Sequence, residues 1–508
     1  MTDISRRDFL KLMSIAPMAM LVQPLVGNSN LSVNPDQRNI IVVIFDSWSA
    51  DHMQLYGYPR DTMPNLTRFA ENALVYHNHY SAGTFTVPGT ASLLTGLYPW
   101  SHRAIAFGGE INLEHRDHLI FNLLSSTHTT VGYAQNMYAD KFLDQAGREL
   151  KSHIPVDNFD LEHELTYSSP VFRKDPQVAF ASFEDDIFQK GVGFDGSLFL
   201  GPLNRLLTSR EREALNHEYR LSYPRGLPFV TDVFRLEDLI EGAIEILKGV
   251  SQPSLVYLHF FPPHGPYRPK GKYNNRFNDG WQAREKPAHA LSPTPVTFEE
   301  EENRRRKYDQ YLASWDAELL RLLDFMKTSG LLDTSYVMFT SDHGELFERG
   351  EVGHDTYLIY DSIVHVPLII TRPGQKGRID IQAPTSNVDL LPTLASLTGS
   401  NPPNWTEGLP LPELGGISDQ DRGIFTMDAK TNSVFNSLTK VSLSLTRNDH
   451  RLTYYNYPNL KYKEFELYNL MEDPDELNDL YPAQPQIVHQ LQDELLQKLA
   501  EVNRRYRT

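Results

Sequence analysis

Two apolar runs that each end on a carboxylate constrain this chain most. Asn39-Ile40-Ile41-Val42-Val43-Ile44-Phe45-Asp46 is rich in β-branched residues, and Ser335 to Thr340 is a similar strand pattern closed by Ser341-Asp342. Further strand-like runs, Ser254 to Phe260 and Val366 to Thr371, alternate with helical patterns over Met63 to Glu71, Arg235 to Leu247 and Tyr308 to Ser329. Such alternation predicts a mostly parallel sheet flanked by helices, an α/β architecture. Ligands of these sheets bind outside the carboxyl ends of the strands, so Asp46 and Asp342 are expected to meet at one rim. A length of 508 residues, 40% of them hydrophobic, accommodates one large domain and a smaller appendage. The net charge of -17 argues against a nucleic-acid binder, because phosphate backbones are held mainly by Lys and Arg. An anionic substrate must then be held locally, by a metal, helix N-termini and a few His or Arg side chains.

The expected organisation has three parts: a signal segment over 1-30, a catalytic domain over 37-400 and a C-terminal subdomain over 404-508. Ser5-Arg6-Arg7-Asp8-Phe9-Leu10-Lys11 followed by the apolar stretch Leu12 to Val26 matches a twin-arginine export signal. That stretch is short for a membrane span, which needs roughly 20 residues. Export by the twin-arginine machinery to the periplasm or outer side of a prokaryotic inner membrane is the expectation, with the signal either cut or kept as an anchor. The absence of cysteine fits an oxidising exterior and equally a cytosol. Residues 145-228 and 270-306 are polar and irregular and are expected to be insertions over the active-site face. From about Asn404 to Leu480 the runs shorten and turn signals multiply, which predicts a small antiparallel sheet, and Pro482 to Tyr506 reads as a closing amphipathic helix.

A further set of motifs follows one order along the chain. Thr84-Phe85-Thr86-Val87-Pro88-Gly89-Thr90-Ala91-Ser92-Leu93-Leu94-Thr95-Gly96 is preceded by Ser47-Trp48-Ser49-Ala50-Asp51-His52-Met53 and Tyr56-Gly57-Tyr58-Pro59 through Pro64-Asn65-Leu66. It is followed by His259-Phe260-Phe261-Pro262-Pro263-His264-Gly265-Pro266-Tyr267, Ser341-Asp342-His343-Gly344-Glu345, Gly353-His354, Val388-Asp389-Leu390-Leu391-Pro392-Thr393 and Glu466-Leu467-Tyr468-Asn469. Together these resemble the sulfatase family of the alkaline-phosphatase superfamily from about Asn39 to the C-terminus. The resemblance implies an alkaline-phosphatase/sulfatase-like fold and a site built on one divalent ion, Mn, Mg, Ca or Zn. It assigns Asp46, Thr86, Asp342 and His343 as ligands, oxygen and imidazole donors that suit such an ion. Sulfatases read Cys-x-Pro-Ser-Arg at the signature, and their Cys matures to formylglycine; Thr86 stands in its place. A Thr hydroxyl next to the ion is the implied nucleophile. Pro88 is placed to open a helix whose free amides face the bound anion.

His264 and His354 fall near family histidines that bind the transferred group or protonate the leaving oxygen, a role imidazole suits. Asn136 and Lys141 lie near the place of an absent Gly-Lys-x-His motif and are expected as anion contacts. His52 and His259 read as structural. Two departures accompany Thr86: Thr90 replaces the signature Arg, and Ser47 replaces the second carboxylate of the family's Asp-Asp pair. The run Asp361 to His365 comes after Asp342-His343, the reverse of two-zinc phosphatases, so a single ion is expected. Three functions stay open: an exported metal-dependent hydrolase or transferase of phosphoester or phosphonate groups, a sulfuric ester hydrolase, and a silent binder of anionic glycans or lipids. The substrate is a small-molecule, lipid or glycan ester.

Overall fold

Residues 40-45 show why the first strand ends up in the middle of the molecule. Ile41, Val43 and Phe45 pack into one hydrophobic cluster while Ile40, Val42 and Ile44 pack into another, so the period of two buries both faces. In this computed structural model, which describes residues 38-161, 200-230, 233-292 and 294-506, β1 (Asn39–Phe45) is central in an eight-stranded sheet. The other strands are β2 (Leu74–Tyr76), β3 (Thr129–Ala134), β4 (Ser152–Ile154), β5 (Ser254–Phe260), β6 (Ser335–Thr340), β7 (Leu368–Thr371) and β8 (Ile379–Ile381). Their order is β8-β2-β7-β6-β1-β5-β3-β4, parallel throughout except for β7, which runs antiparallel to both neighbours. The twin-arginine motif lies outside the described residues.

Helices cover both faces, as strands buried on two sides require. Phe298–Thr328 places Trp315, Leu319 and Leu322 against Phe45 and Phe339, together with Leu239 and Ile240 of Leu236–Gly249. Thr86–Thr95 and Leu390–Leu397 pack on the opposite face. The helix expected from Tyr308 begins ten residues earlier, at Phe298, inside a segment read as irregular. Its first turns, Glu299 to Lys307, are almost wholly charged and carry no apolar stripe, so periodicity gives no signal there. The Thr297 side chain accepts from Glu300 N, and Glu299, Glu300 and Glu301 fill the first turn, which is the start signal that remains.

The C-terminal part is a four-stranded antiparallel meander, β9 (Ile424–Asp428), β10 (Val441–Arg447), β11 (His450–Tyr457) and β12 (Tyr462–Asn469). The helix Pro485–Asn503 closes it with Val488, Leu491 and Leu495. Met427 N donates to Ala82 O at 3.0 Å, and Thr84 Oγ1 donates to Asp428 Oδ2 at 3.3 Å. The meander therefore braces the segment entering the helix Thr86–Thr95.

That helix starts two residues before Pro88, with Thr86 itself in the first turn, where a proline is tolerated because first-turn amides lack intrahelical partners. Gly89 lets the helix lie against the loop after β6, since a Cβ built there would come 2.2 Å from Asp342 O. In an open helix, Gly to Ala stabilises by about 1 kcal/mol. Overpacking against fixed backbone costs about 1-3 kcal/mol and should win here. Gly89→Ala is therefore predicted to lower the melting temperature and to move Thr86 away from Asp342, with loss of activity; a raised melting temperature would contradict this packing.

Candidate functional site

Asp46 and Asp342 follow β1 and β6, neighbouring parallel strands whose ends lie side by side. Both carboxylates are fully buried, as is His343, and the three ligand atoms lie within 4.8 Å of one another. His343 Nε2 is 3.5 Å from Asp46 Oδ1 and 3.6 Å from Asp342 Oδ2. Its Nδ1 donates to Gly344 O at 2.8 Å, which leaves Nε2 as the bare nitrogen, and burial lowers its pKa despite Asp342. Burial opposes ionisation of Asp46, yet the surrounding His264, His259 and His343 hold its carboxyl well below the ordinary range. Asp342 is pushed up by burial and then by the Asp46 charge. Among the described residues neither carboxylate pairs with Lys or Arg. Two buried carboxylates and a bare imidazole nitrogen without a cationic side chain form a donor set that fits a divalent ion.

Thr86 joins this group from the helix N-terminus. Its Oγ1 lies 3.3 Å from His343 Nε2 and accepts from Asn136 Nδ2 at 3.3 Å. Asn136 Nδ2 also donates to Asp46 Oδ2 at 2.6 Å, while Asn136 Oδ1 caps the helix Met137–Ala146 by accepting from Tyr138 N. Asn136 thus ties nucleophile candidate, carboxylate and helix start together. Thr90, one turn further along, directs Oγ1 to Asp342 Oδ2 at 3.4 Å.

His264 and His354 close the group on the solvent side, their rings 4.7 Å apart, with His354 4.4 Å from His343. His264 stacks on Phe261 at 4.2 Å and donates Nδ1 to Gly265 O at 2.7 Å, so Nε2 is the nitrogen left for a ligand. His354 Nδ1 lies 3.2 Å from Glu345 Oε2 and 3.4 Å from Ser47 Oγ. A cavity of about 330 Å³ opens over Thr86, Asn136, His264 and His354, walled by Phe85, Phe107, Phe229 and Phe261.

Asp46, Thr86, Asn136, His264, Asp342, His343 and His354 are therefore brought together, and Lys141 is not. Lys141 sits on the exposed side of its helix with Nζ on Gly108 O at 3.0 Å, away from the cavity wall. His52 is held by Asp309 at 2.7 Å and faces none of these groups. His259, read as structural, stands directly behind the carboxylates: its fully buried Nε2 is 3.7 Å from Asp46 and 3.8 Å from Asp342, with no partner at hydrogen-bond distance among the described residues. Its signal was a lone imidazole near the end of an otherwise apolar strand adjoining β1. Glu345, also missed, is two residues past His343 and orients His354. Ser47 has a left-handed backbone, φ 63, and its Oγ donates to Asp46 Oδ1 at 3.0 Å. A second acidic and imidazole set, Asp51, Asp361 and His365, already contains a cation, since Arg451 pairs with Asp361.

Comparison with known proteins places the chain in a family. Residues 38–400 match the sulfatase family, and residues 350–505 match the C-terminal region of N-sulphoglucosamine sulphohydrolase. The chain is 23% identical over 497 residues to the multifunctional alkaline phosphatase superfamily protein PehA of Trinickia caryophylli, covering 87% of this chain and 91% of that one. It is 27% identical over 408 residues to a choline-sulfatase of Rhizobium meliloti, covering 75% and 72%. Among solved structures, the phosphonate monoester hydrolase of Agrobacterium radiobacter shares the fold with a TM-score of 0.65 at 19% identity, over 93% of this chain and 96% of that one. The chain belongs to the sulfatase family of the alkaline phosphatase superfamily, hydrolases of phosphoric and sulfuric esters.

Proposed function

We propose that this protein is a metal-dependent hydrolase or transferase of phosphoester or phosphonate groups that uses Thr86 as its nucleophile. The observation that carries the reading is Thr86 Oγ1 at a helix N-terminus, 3.3 Å from both His343 Nε2 and Asn136 Nδ2, at the mouth of the Asp46–Asp342 pair. Asp46, Asp342 and His343, with Thr86, would hold the divalent ion that sulfatase-family enzymes use. When bound, that ion supplies the charge that lets the Thr86 hydroxyl ionise and that polarises the ester oxygen.

The chain's own groups do the rest. Asn136 fixes the Thr86 oxygen by donating to it, and the first-turn amides of its helix favour an anion at that end. The Thr86 hydroxyl releases its proton to solvent and its oxygen forms a bond to phosphorus as the bond to the leaving oxygen breaks, while His264, as imidazolium, delivers its Nε2 proton to that leaving oxygen and regains one from the water or alcohol that attacks next. Glu345 holds His354 against the same face. Water or an acceptor alcohol then displaces the threonine oxygen from phosphorus, restoring the hydroxyl. A threonine sulfate lacks the geminal hydroxyl through which formylglycine sulfatases expel sulfate, and the chain has no cysteine from which to make one. The naming of PehA as multifunctional, and of a fold relative as a phosphonate monoester hydrolase, accords with this reading.

Thr86→Ala is predicted to abolish turnover with the fold retained, and Thr86→Ser to keep part of it; full activity in the Ala variant would remove Thr86 from the mechanism. Asp342→Asn and His343→Ala should lose bound metal as well as rate, by about 10- to 100-fold or more, whereas His264→Ala should lose rate with metal retained. Elemental analysis after gel filtration separates the two classes, and stoichiometric ion in the Asp342 and His343 variants would contradict the ligand set. On matched aryl esters, kcat/KM should be higher for a phosphodiester or phosphonate monoester than for the sulfate, and co-expression with a formylglycine-generating enzyme should leave the sulfatase rate unchanged. Faster turnover of the sulfate would return the chain to sulfuric esters.

A further inference from the structure

The cavity over Thr86 has no Lys or Arg among its described lining residues, yet a cationic cavity lies immediately beyond its wall. Gly265 and Pro266, which follow His264, line both spaces. The second space, about 950 Å³, is lined by Arg225, Arg268, Arg304, Arg306 and Lys307, against only Glu299 and Glu300. Among the described residues, Arg304 alone of the five has a carboxylate partner, Glu300 at 3.0 Å. Arg225 is held by neutral acceptors, Gln310 Oε1 at 2.9 Å and Asn274 O at 2.8 Å. Arg268 lies 5.0 Å over the Phe229 ring with Nη1 on Leu227 O at 3.4 Å, and Arg306 reaches only Asn303 Oδ1 at 3.4 Å. Burial and then a neighbouring guanidinium lower the pKa of both Arg225 and Arg268, Arg306 acting on the first and Arg212 on the second. In a chain of net charge -17, guanidinium groups oriented by neutral acceptors and crowded by like charges leave their charge-assisted hydrogen bonds to a ligand.

We propose that this cavity is a second oxyanion subsite, taking a sulfate, sulfonate or phosphate group carried on the leaving portion of the substrate. The assignment to the leaving portion rests on the reading of Thr86 as nucleophile and His264 as the proton donor to the leaving oxygen. His264 belongs to the segment that divides the two spaces, so what departs from Thr86 departs toward that wall. The segment between the reacting bond and the second anion meets Phe85, Phe107, Phe229 and Phe261, and is therefore apolar.

The test compares an aryl phenylphosphonate with the same ester carrying a sulfonate on a short flexible chain from the leaving ring. The sulfonated ester should have a KM lower by about tenfold, the size of one or two charge-assisted contacts. Arg225→Glu combined with Arg306→Glu should bring the ratio of the two KM values to near one, and Lys307→Gln should reduce it partway, with melting temperatures reporting the fold. Inorganic sulfate should raise KM for the sulfonated ester more than for the plain one. Equal KM values in the unaltered enzyme, a difference that survives charge reversal, or sulfate acting equally on both esters would overturn the subsite. Calorimetric binding of the sulfonated phenol product to Thr86→Ala reads the subsite without turnover. Retained turnover in that variant with charge-dependent binding would therefore sink the nucleophile and leave the subsite standing.

Discussion

Everything at the rim of this sheet depends on two carboxylates that are buried side by side without a cationic side chain among the described residues. Removing one ionised carboxylate from water costs several kcal/mol, and a second beside it adds repulsion, which is why Asp342 is pushed up, while His264, His259 and His343 hold Asp46 down. Such a pair persists in a fold only where the backbone leaves no alternative and neighbouring groups offset the charge. The backbone condition is met by strand pairing: β1 and β6 are parallel and in register, so both chains leave the sheet at one level. Ser341 fastens that exit, its Oγ 2.6 Å from Phe45 O and accepting from Trp48 N at 2.9 Å. The histidines are arranged around the same demand, with His264 and His354 on the open side, His343 buried beside the carboxylates and His259 behind.

Thr86 reaches the pair because a helix is pressed unusually close to the loop after β6, a closeness that Gly89 makes possible and that the C-terminal meander braces through Ala82 and Thr84. The meander is thus part of the site's support. Asn136 performs three tasks with one amide, capping a helix with its oxygen and fixing Asp46 and Thr86 with its nitrogen. Lys141, further along the same helix, is occupied elsewhere.

Two short hydroxyls face the two carboxylates. Thr90 directs its hydroxyl at Asp342, and Ser47 directs its own at Asp46. Among the described lining residues, the cavity over Thr86 has no Lys or Arg, whereas five such side chains line the space across the Gly265 and Pro266 wall.

The sequence by itself determined the strands that end on Asp46 and Asp342, the order of the motifs and the small C-terminal sheet with its closing helix, because period-two burial and turn chemistry are local properties. It also singled out Thr86, His264, Asp342, His343 and His354, which lie within the stretch, residues 38–400, that matches the sulfatase family. The start of the helix at Phe298 was hidden because its charged turns lack an apolar stripe. Only the tertiary structure decided that His259 faces the carboxylates, that Glu345 orients His354, that Asn136 enters the site while Lys141 turns away, and that five cations gather beyond His264. The reason is physical: a residue's own periodicity reports which face of its element is buried, whereas the partner waiting on that face is set by strand order, register and helix approach, which join residues far apart in the chain.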